Sequence, residues 1–492
     1  MHSSSSNPET TPNVPVGNLL TPPGNRRAFV KRMLAVGAAV NLPGVALGGG
    51  GDSPPQWDGE HEDSCENPQQ RRYDAYRIRN QAALQEYHQP VPKHKDNGDE
   101  ERYSSKIASF TKGLPHNELG EVDLRAYRKY SHALCTGEPS DFERIPLGCP
   151  DPAMQMKLVN PQAGLAYVLE GIDPHATYVP PAPKFKSAEE IGELIELYWM
   201  ALARDINYRD YETDPLIQQA AADLSRLSDF KGPKVNGMVT PGTIFRADFP
   251  GCLIGPHNSQ FRYLNVPYGA LYIDQRMRTV LPEQDFMTDY PEWLRIQNGC
   301  APERTLQFDP VRRYIRNGRD GGQWVHVDVL HEAYYLAMLI LQFPISTDIE
   351  NSGIEGPVDS NNPYLDYQKQ DPFVTFGIAH LDTLVPEVAT RALKAAWFQK
   401  WYVHRRIRPE AYAGRVHNML TGAAPDYPIP KSELLSSPAL DMIYSKYQSY
   451  LLPMAFPEGS PLHPAYTSGH ATVAGACATI LKAWFDESYV IP

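Results

Sequence analysis

At 492 residues the chain is too long for one ordinary domain and long enough to bury a large core or two adjoining ones. A net charge of −12, from 58 acidic against 46 basic residues, argues against a general nucleic-acid binder, which needs clustered Lys and Arg along the phosphate backbone. Six scattered cysteines (Cys65, Cys135, Cys149, Cys252, Cys300, Cys477) with no C-x-x-C pair argue against a zinc site. They fit buried thiols or, with Cys135 and Cys149 as the nearest candidate pair, a disulfide.

The first stretch, through about Thr21, is rich in Ser, Pro and Asn and reads as disordered. Arg26-Arg27-Ala28-Phe29-Val30-Lys31 and the weakly apolar run from Met33 to Leu47 then resemble a bacterial twin-arginine export signal. A periplasmic or extracellular protein is expected from that pattern. The run is shorter than the roughly 20 apolar residues that span a bilayer, so no permanent membrane anchor is expected. Residues 1–48 are therefore read as disordered N-terminus and export signal, and 49–70 as a linker. Residues 71–330 are read as an N-terminal helical region, and 331–492 as a C-terminal helical bundle that carries the site.

Arg71 to Arg79 opens a charged helical pattern. Ser187-Ala188-Glu189-Glu190 is a capping box, and behind it Ile191, Leu194, Ile195 and Tyr198 define one apolar helix face. His331 to Phe343 is apolar nearly all round and predicts a core helix. Further helices are expected over Ala389–Arg406, Ala439–Leu452 and Ser468–Asp486. Short strand signals occur only around Val239–Ile244 and Tyr268–Ile273. With 46 prolines and 35 glycines, the expected fold is mainly α: helical bundles with long Pro/Gly-rich connections.

Three neighbouring segments carry chemistry. Ser468-Gly469-His470 precedes the small-residue run Ala471-Thr472-Val473-Ala474-Gly475. A helix starting there offers free N–H groups and a partial positive charge, Gly469 permits close approach, Ser468 adds a donor, and His470 can move a proton. Lys400 and Arg408 lie eight positions apart. On one continuous helix about 12 Å of rise would separate them, so both reach one small anion only if the helix ends or bends between them. Pro409 favours that break, because the residue before proline avoids the α region. An Arg fork plus a Lys point charge suits a tetrahedral oxyanion; the bland alternative is a solvated basic face, as Arg405 and Arg406 would suggest. His326 and His331, five apart, fit packed or solvated side chains better than ligands, and His404 and His417 flank the Arg408-Pro409 turn.

Taken together, these residues resemble the superfamily of vanadium-dependent haloperoxidases and type-2 phosphatidic acid phosphatases. The resemblance extends through Trp397-Phe398-Gln399-Lys400-Trp401-Tyr402-Val403-His404-Arg405 and Ser460-Pro461-Leu462-His463-Pro464, and from about Arg71 onward the chain looks like the algal-type bromoperoxidases and their bacterial relatives. Seven residues, Trp401 to Ile407, separate Lys400 from Arg408, the bromoperoxidase spacing; the phosphatases usually have one fewer. The resemblance implies vanadate as cofactor and no heme. Lys400 would hold a vanadate oxygen and polarise peroxide, with Arg408, the Ser468 hydroxyl and the Gly469 N–H around the other oxygens and His470 as acid–base residue. His463 stands where bromoperoxidases have histidine, and Trp397 where the family lines the halide side. The implied reaction is oxidation of bromide or iodide by hydrogen peroxide to hypohalous acid, which halogenates small organic acceptors. A homo-oligomer is expected by the same analogy.

Two departures accompany the resemblance. Thr467 stands where proline is common. The family's axial vanadium ligand is a His six residues after an Arg, on a helix well beyond Ser-Gly-His; here only 22 residues follow His470 and none is His or Arg. The axial His is therefore expected beyond Pro492, in a truncated chain whose site alone would hold vanadate loosely and whose activity is in question. The alternatives weighed are an acid phosphatase of the same superfamily and a non-catalytic exported oxyanion-binding protein.

Overall fold

The structure is a computed structural model and describes residues 67–490, apart from 170, 249–250, 254 and 343–356. The export signal and nearly all of the linker lie outside the described residues.

The longer elements run, in chain order, α1 Pro68–Tyr87, α2 Leu124–Thr136, α3 Ala188–Ala203, α4 Pro215–Arg226, the strands β1 Val266–Tyr268 and β2 Leu271–Ile273, then α5 Tyr290–Gln297, α6 Gly318–His326, α7 Glu332–Gln342, α8 Ile378–Phe398, α9 Pro409–Leu420, α10 Pro438–Tyr447 and α11 Gly469–Trp484. The class is the mainly α one expected. No helix among the described residues is long and apolar enough to cross a membrane.

Local chemistry explains the boundaries. α1 starts three residues before the expected point, because the Asn67 side chain accepts from the Gln69 and Gln70 N–H groups and Pro68 fits the first turn. Ser187 caps α3 by accepting from Glu190 N at 3.1 Å. Only that half of the capping box forms, since the Glu190 carboxylate turns away to Arg406. α8 begins eleven residues earlier than its pattern suggested and tolerates Pro386 in its interior. The strand expected over Val239–Ile244 is instead a turn closed by Thr243 N to Thr240 O and Thr240 N to Thr243 Oγ1, both 2.9 Å. Near the second signal a hairpin does form, pairing Val266 with Ile273 around Gly269 at φ 59°.

Two cores dominate. One packs α3 and α4 against α9 and α10, with Ile191, Leu194, Ile195 and Tyr198 buried on the face read from sequence. The other packs α7, α8 and α11 with Val266. Because the first core joins residues on both sides of 330/331, that position does not separate two cores.

The disulfide is Cys149–Cys300, with Cα atoms 4.9 Å apart, while Cys135 is free and exposed. Proximity in sequence misled: Cys300 bridges Gln155, whose side chain donates to Cys149 O at 2.8 Å, and that contact brings the two sulfurs together. The bond closes a loop of 151 residues. Replacing both cysteines by serine is expected to lower the unfolding free energy by about 2–4 kcal/mol. Guanidinium denaturation checks this, and superimposable curves would show that the bridge does not constrain the fold.

Candidate active site

The site begins with a broken helix. α8 runs to Phe398 and continues as one π-helical stretch, Gln399–His404, that ends at Arg405 in the left-handed region (φ 38°, ψ 40°). The chain is extended at Arg408 (φ −78°, ψ 148°), and Pro409 opens α9. This is the break that the spacing of Lys400 and Arg408 required. Arg405 and Arg406 are not a solvated basic face: Arg405 pairs with Glu100 at 2.6 Å, and Arg406 pairs with Glu190 and Glu193 on α3. These ion pairs fix the connection.

Lys400, Arg408, His463, Ser468, Gly469 and His470 all line one cleft of about 730 Å³. Lys400 is buried, and its Nζ donates to the carbonyls of Pro464 at 2.8 Å and Ala465 at 3.3 Å. Burial and the neighbouring Arg408 charge push its pKa down to about 6. Arg408 donates through Nε to His463 O at 2.6 Å and through Nη2 to His463 Nδ1 at 2.9 Å. Burial lowers even this guanidinium to about 10, against the pull of Glu410. Burial, Arg408 and Lys400 push His463 down to about 2, so its ring is neutral. Trp397, on the last turn of α8, packs against that ring with centroids 4.9 Å apart.

Ser468 caps α11 by accepting from Ala471 N, which leaves its hydroxyl proton free to donate. A Cβ at Gly469 would come within 3.2 Å of Leu393 and 3.4 Å of Trp397, so a side chain there would crowd the cleft wall. His470 is exposed, and its Nε2 lies 3.0 Å from Asp328 Oδ2.

Asp328 escaped the sequence reading, because nothing in its spacing ties it to His470. Glu410 also escaped it, although it follows Pro409 directly. It is fully buried, bonded to Lys112 Nζ at 3.1 Å and to the Ser460 hydroxyl at 2.6 Å. Burial opposes its charge, yet Lys112 and Arg408 hold the carboxyl below its ordinary range. His326 lines the cleft, pairs with Glu458 and stacks on Phe456. The remaining flagged histidines are packing groups: His331 against Tyr335, His404 against Tyr466, and His417 against Tyr290.

Among the described residues no group of three His, Cys, Asp or Glu could hold a metal cation. The convergent groups here are a lysine amine, a guanidinium, a hydroxyl and a helix N-terminus. Such a donor set fits a tetrahedral oxyanion.

No family model matches the sequence. Individual relatives do. The vanadium-dependent bromoperoxidases of Corallina officinalis and Corallina pilulifera are each 35% identical over 483 residues, covering 82% of this chain and 78% of theirs. That of Ascophyllum nodosum is 36% identical over 390 residues, covering 76% of this chain and 68% of its own. In three dimensions the chain matches the homohexameric structure of the second vanadate-dependent bromoperoxidase from Ascophyllum nodosum, with a TM-score of 0.78 and 30% identity over 88% of this chain and 73% of that one. With its anion cleft built from these parts and this likeness along most of its length, the chain belongs to the vanadium-dependent bromoperoxidase family.

Proposed function

We propose that Lys400, Arg408, Ser468 and the Gly469 N–H hold vanadate at the head of the cleft, and that His470 moves the protons of the reaction. The observation that carries this is their convergence on one cleft although seventy positions of sequence lie between Lys400 and His470. When bound, vanadate supplies Lewis-acid polarisation of hydrogen peroxide. The protein's share is charge and proton transfer. Lys400 and Arg408 neutralise the anion from a dehydrated wall, where each interaction is stronger than in water. Asp328 accepts from His470 Nε2–H, so Nδ1 is left as the base that takes a proton and later returns it.

His463 has a different task. Nδ1 lies 2.9 Å from Arg408 Nη2, which can only donate, and 3.1 Å from Pro464 O; with the shorter contact made, the proton sits on Nε2. A neutral N–H donor beside the Trp397 ring suits a large polarisable halide, which supports bromide and iodide as substrates. A homo-oligomeric assembly is supported by the homohexameric relative. Export to the periplasm or beyond is supported by the twin-arginine pattern and by a disulfide, a bond that persists in oxidising compartments.

Two outcomes test this reading. Bromination of a dye with peroxide and bromide should appear only after vanadate is added, and His470→Ala should cut its rate by roughly 10²–10⁴-fold. Vanadate-independent bromination, or a fully active alanine variant, would overturn the assignment. The second test concerns Lys400. The empty site loses the lysine proton above about pH 6, whereas a bound anion favours the ammonium. Anion binding therefore takes up a proton above pH 6, and affinity falls as pH rises. Phosphate, titrated calorimetrically in buffers of different ionisation enthalpy at pH 8, should show that uptake in the native chain and lose it in Lys400→Gln.

A further inference from the structure

Arg408 and Glu410 flank Pro409 at the start of α9. In a dehydrated pocket a carboxylate so close to a guanidinium is its natural partner, and pairing would cancel the charge that an oxyanion seeks. Among the described residues no such pair forms. Arg408 donates through Nε to His463 O at 2.6 Å, and through Nη2 to His463 Nδ1 at 2.9 Å and Pro461 O at 3.2 Å. Its Nη1 has no partner among the described residues, so two hydrogens of the fork remain for a ligand.

The carboxylate stays away because both of its oxygens are taken. Oε1 accepts from Lys112 Nζ at 3.1 Å and from Ser460 N at 3.2 Å, and Oε2 accepts from the Ser460 hydroxyl at 2.6 Å. Lys112 comes from 298 positions away and is buried. Its three ammonium hydrogens meet three acceptors: Glu410 Oε1, Glu458 O at 2.8 Å and Ser460 O at 2.5 Å. Gly459, between those two carbonyls, has φ 67°, and a Cβ there would collide with Met287 and stand 3.2 Å from Lys112 Nζ. The loop is thus bent around the ammonium.

We propose that Lys112 is a positioning residue that withholds Glu410 from Arg408 and so keeps the guanidinium open to an oxyanion; the proposal rests on the oxyanion reading of the cleft. The Glu410 carboxylate is in effect an internal competitor for the ligand, held off by a lysine that never touches that ligand. At this remove it still offsets part of the cost of burying Arg408 without occupying its donors. Lys112 also tethers residues 458 and 460, just before the Pro461, His463 and Pro464 carbonyls that accept from Arg408 and Lys400.

Calorimetric titration of the full chain with inorganic phosphate tests this. Lys112→Met should weaken binding roughly tenfold, the scale of one charge-assisted hydrogen bond, because the freed carboxylate turns to Arg408. Lys112→Met with Glu410→Gln should recover most of the loss. Damage from a loosened loop would persist in that double variant, since all three Lys112 hydrogen bonds are still missing. Ser460→Ala is the milder change if Lys112→Met does not fold: it frees Oε2 alone, and it should weaken binding in a way that Glu410→Gln again reverses. Thermal melts confirm that each variant is folded. Native affinity in a folded single variant, or a double variant as weak as its single parent, overturns the proposal. Phosphate binding as tight in Lys400→Gln as in the native chain would instead overturn the oxyanion reading itself.

Discussion

Two positive groups held side by side in a dehydrated pocket set the terms for this molecule. Among the described residues Lys400 has no carboxylate partner and donates to two carbonyls, while Arg408 leans on its neighbour Glu410 and on His463. Burying like charges together is unfavourable, and the cost surfaces as a lysine that loses its proton near pH 6. The surrounding structure is what makes the arrangement tenable. Glu410, clamped by Lys112 and Ser460, ties α9 to the segment that carries His463. Arg405 and Arg406, each paired with glutamate, pin the connection between α8 and α9. An incoming oxyanion then completes a charge balance that the protein leaves open.

Much of this was legible because short-range chemistry dictated it. The Lys400–Arg408 interval demanded a broken helix, and Pro409 located the break to within a few residues. Ser468 capping α11, and the apolar face of α3, followed from residue type and spacing alone. The failures share a cause: each depended on a partner far away in the chain. Asp328 meets His470 across 142 positions, and Cys149 meets Cys300 across 151. Glu190 looked like the return half of a capping box, yet a part-buried arginine 216 positions away competes for it and wins. α8 begins eleven residues before the expected Ala389, since a helix packed against α11 can absorb the hydrogen bond that Pro386 cannot make.

Fold and site are also harder to separate than the sequence suggested. The cleft is lined by residues from 400–470 and by residues from 200–328, and the first core joins the same two stretches. The rigidity that holds Arg408 and the residues that line the rest of the cleft therefore share one set of packed helices.

Gly318, Gly321 and Gly322 of α6 line the cleft, and they carry a lesson for anyone who would harden this protein. By ordinary helix preference, alanine at Gly321 and Gly322 offers up to about 1 kcal/mol each. A stabilisation campaign guided by propensity or by melting temperature would select those changes early. They would narrow the aperture between Tyr208 and Phe456 one methyl at a time, so heat tolerance and the breadth of molecules admitted should trade against each other along this one helix.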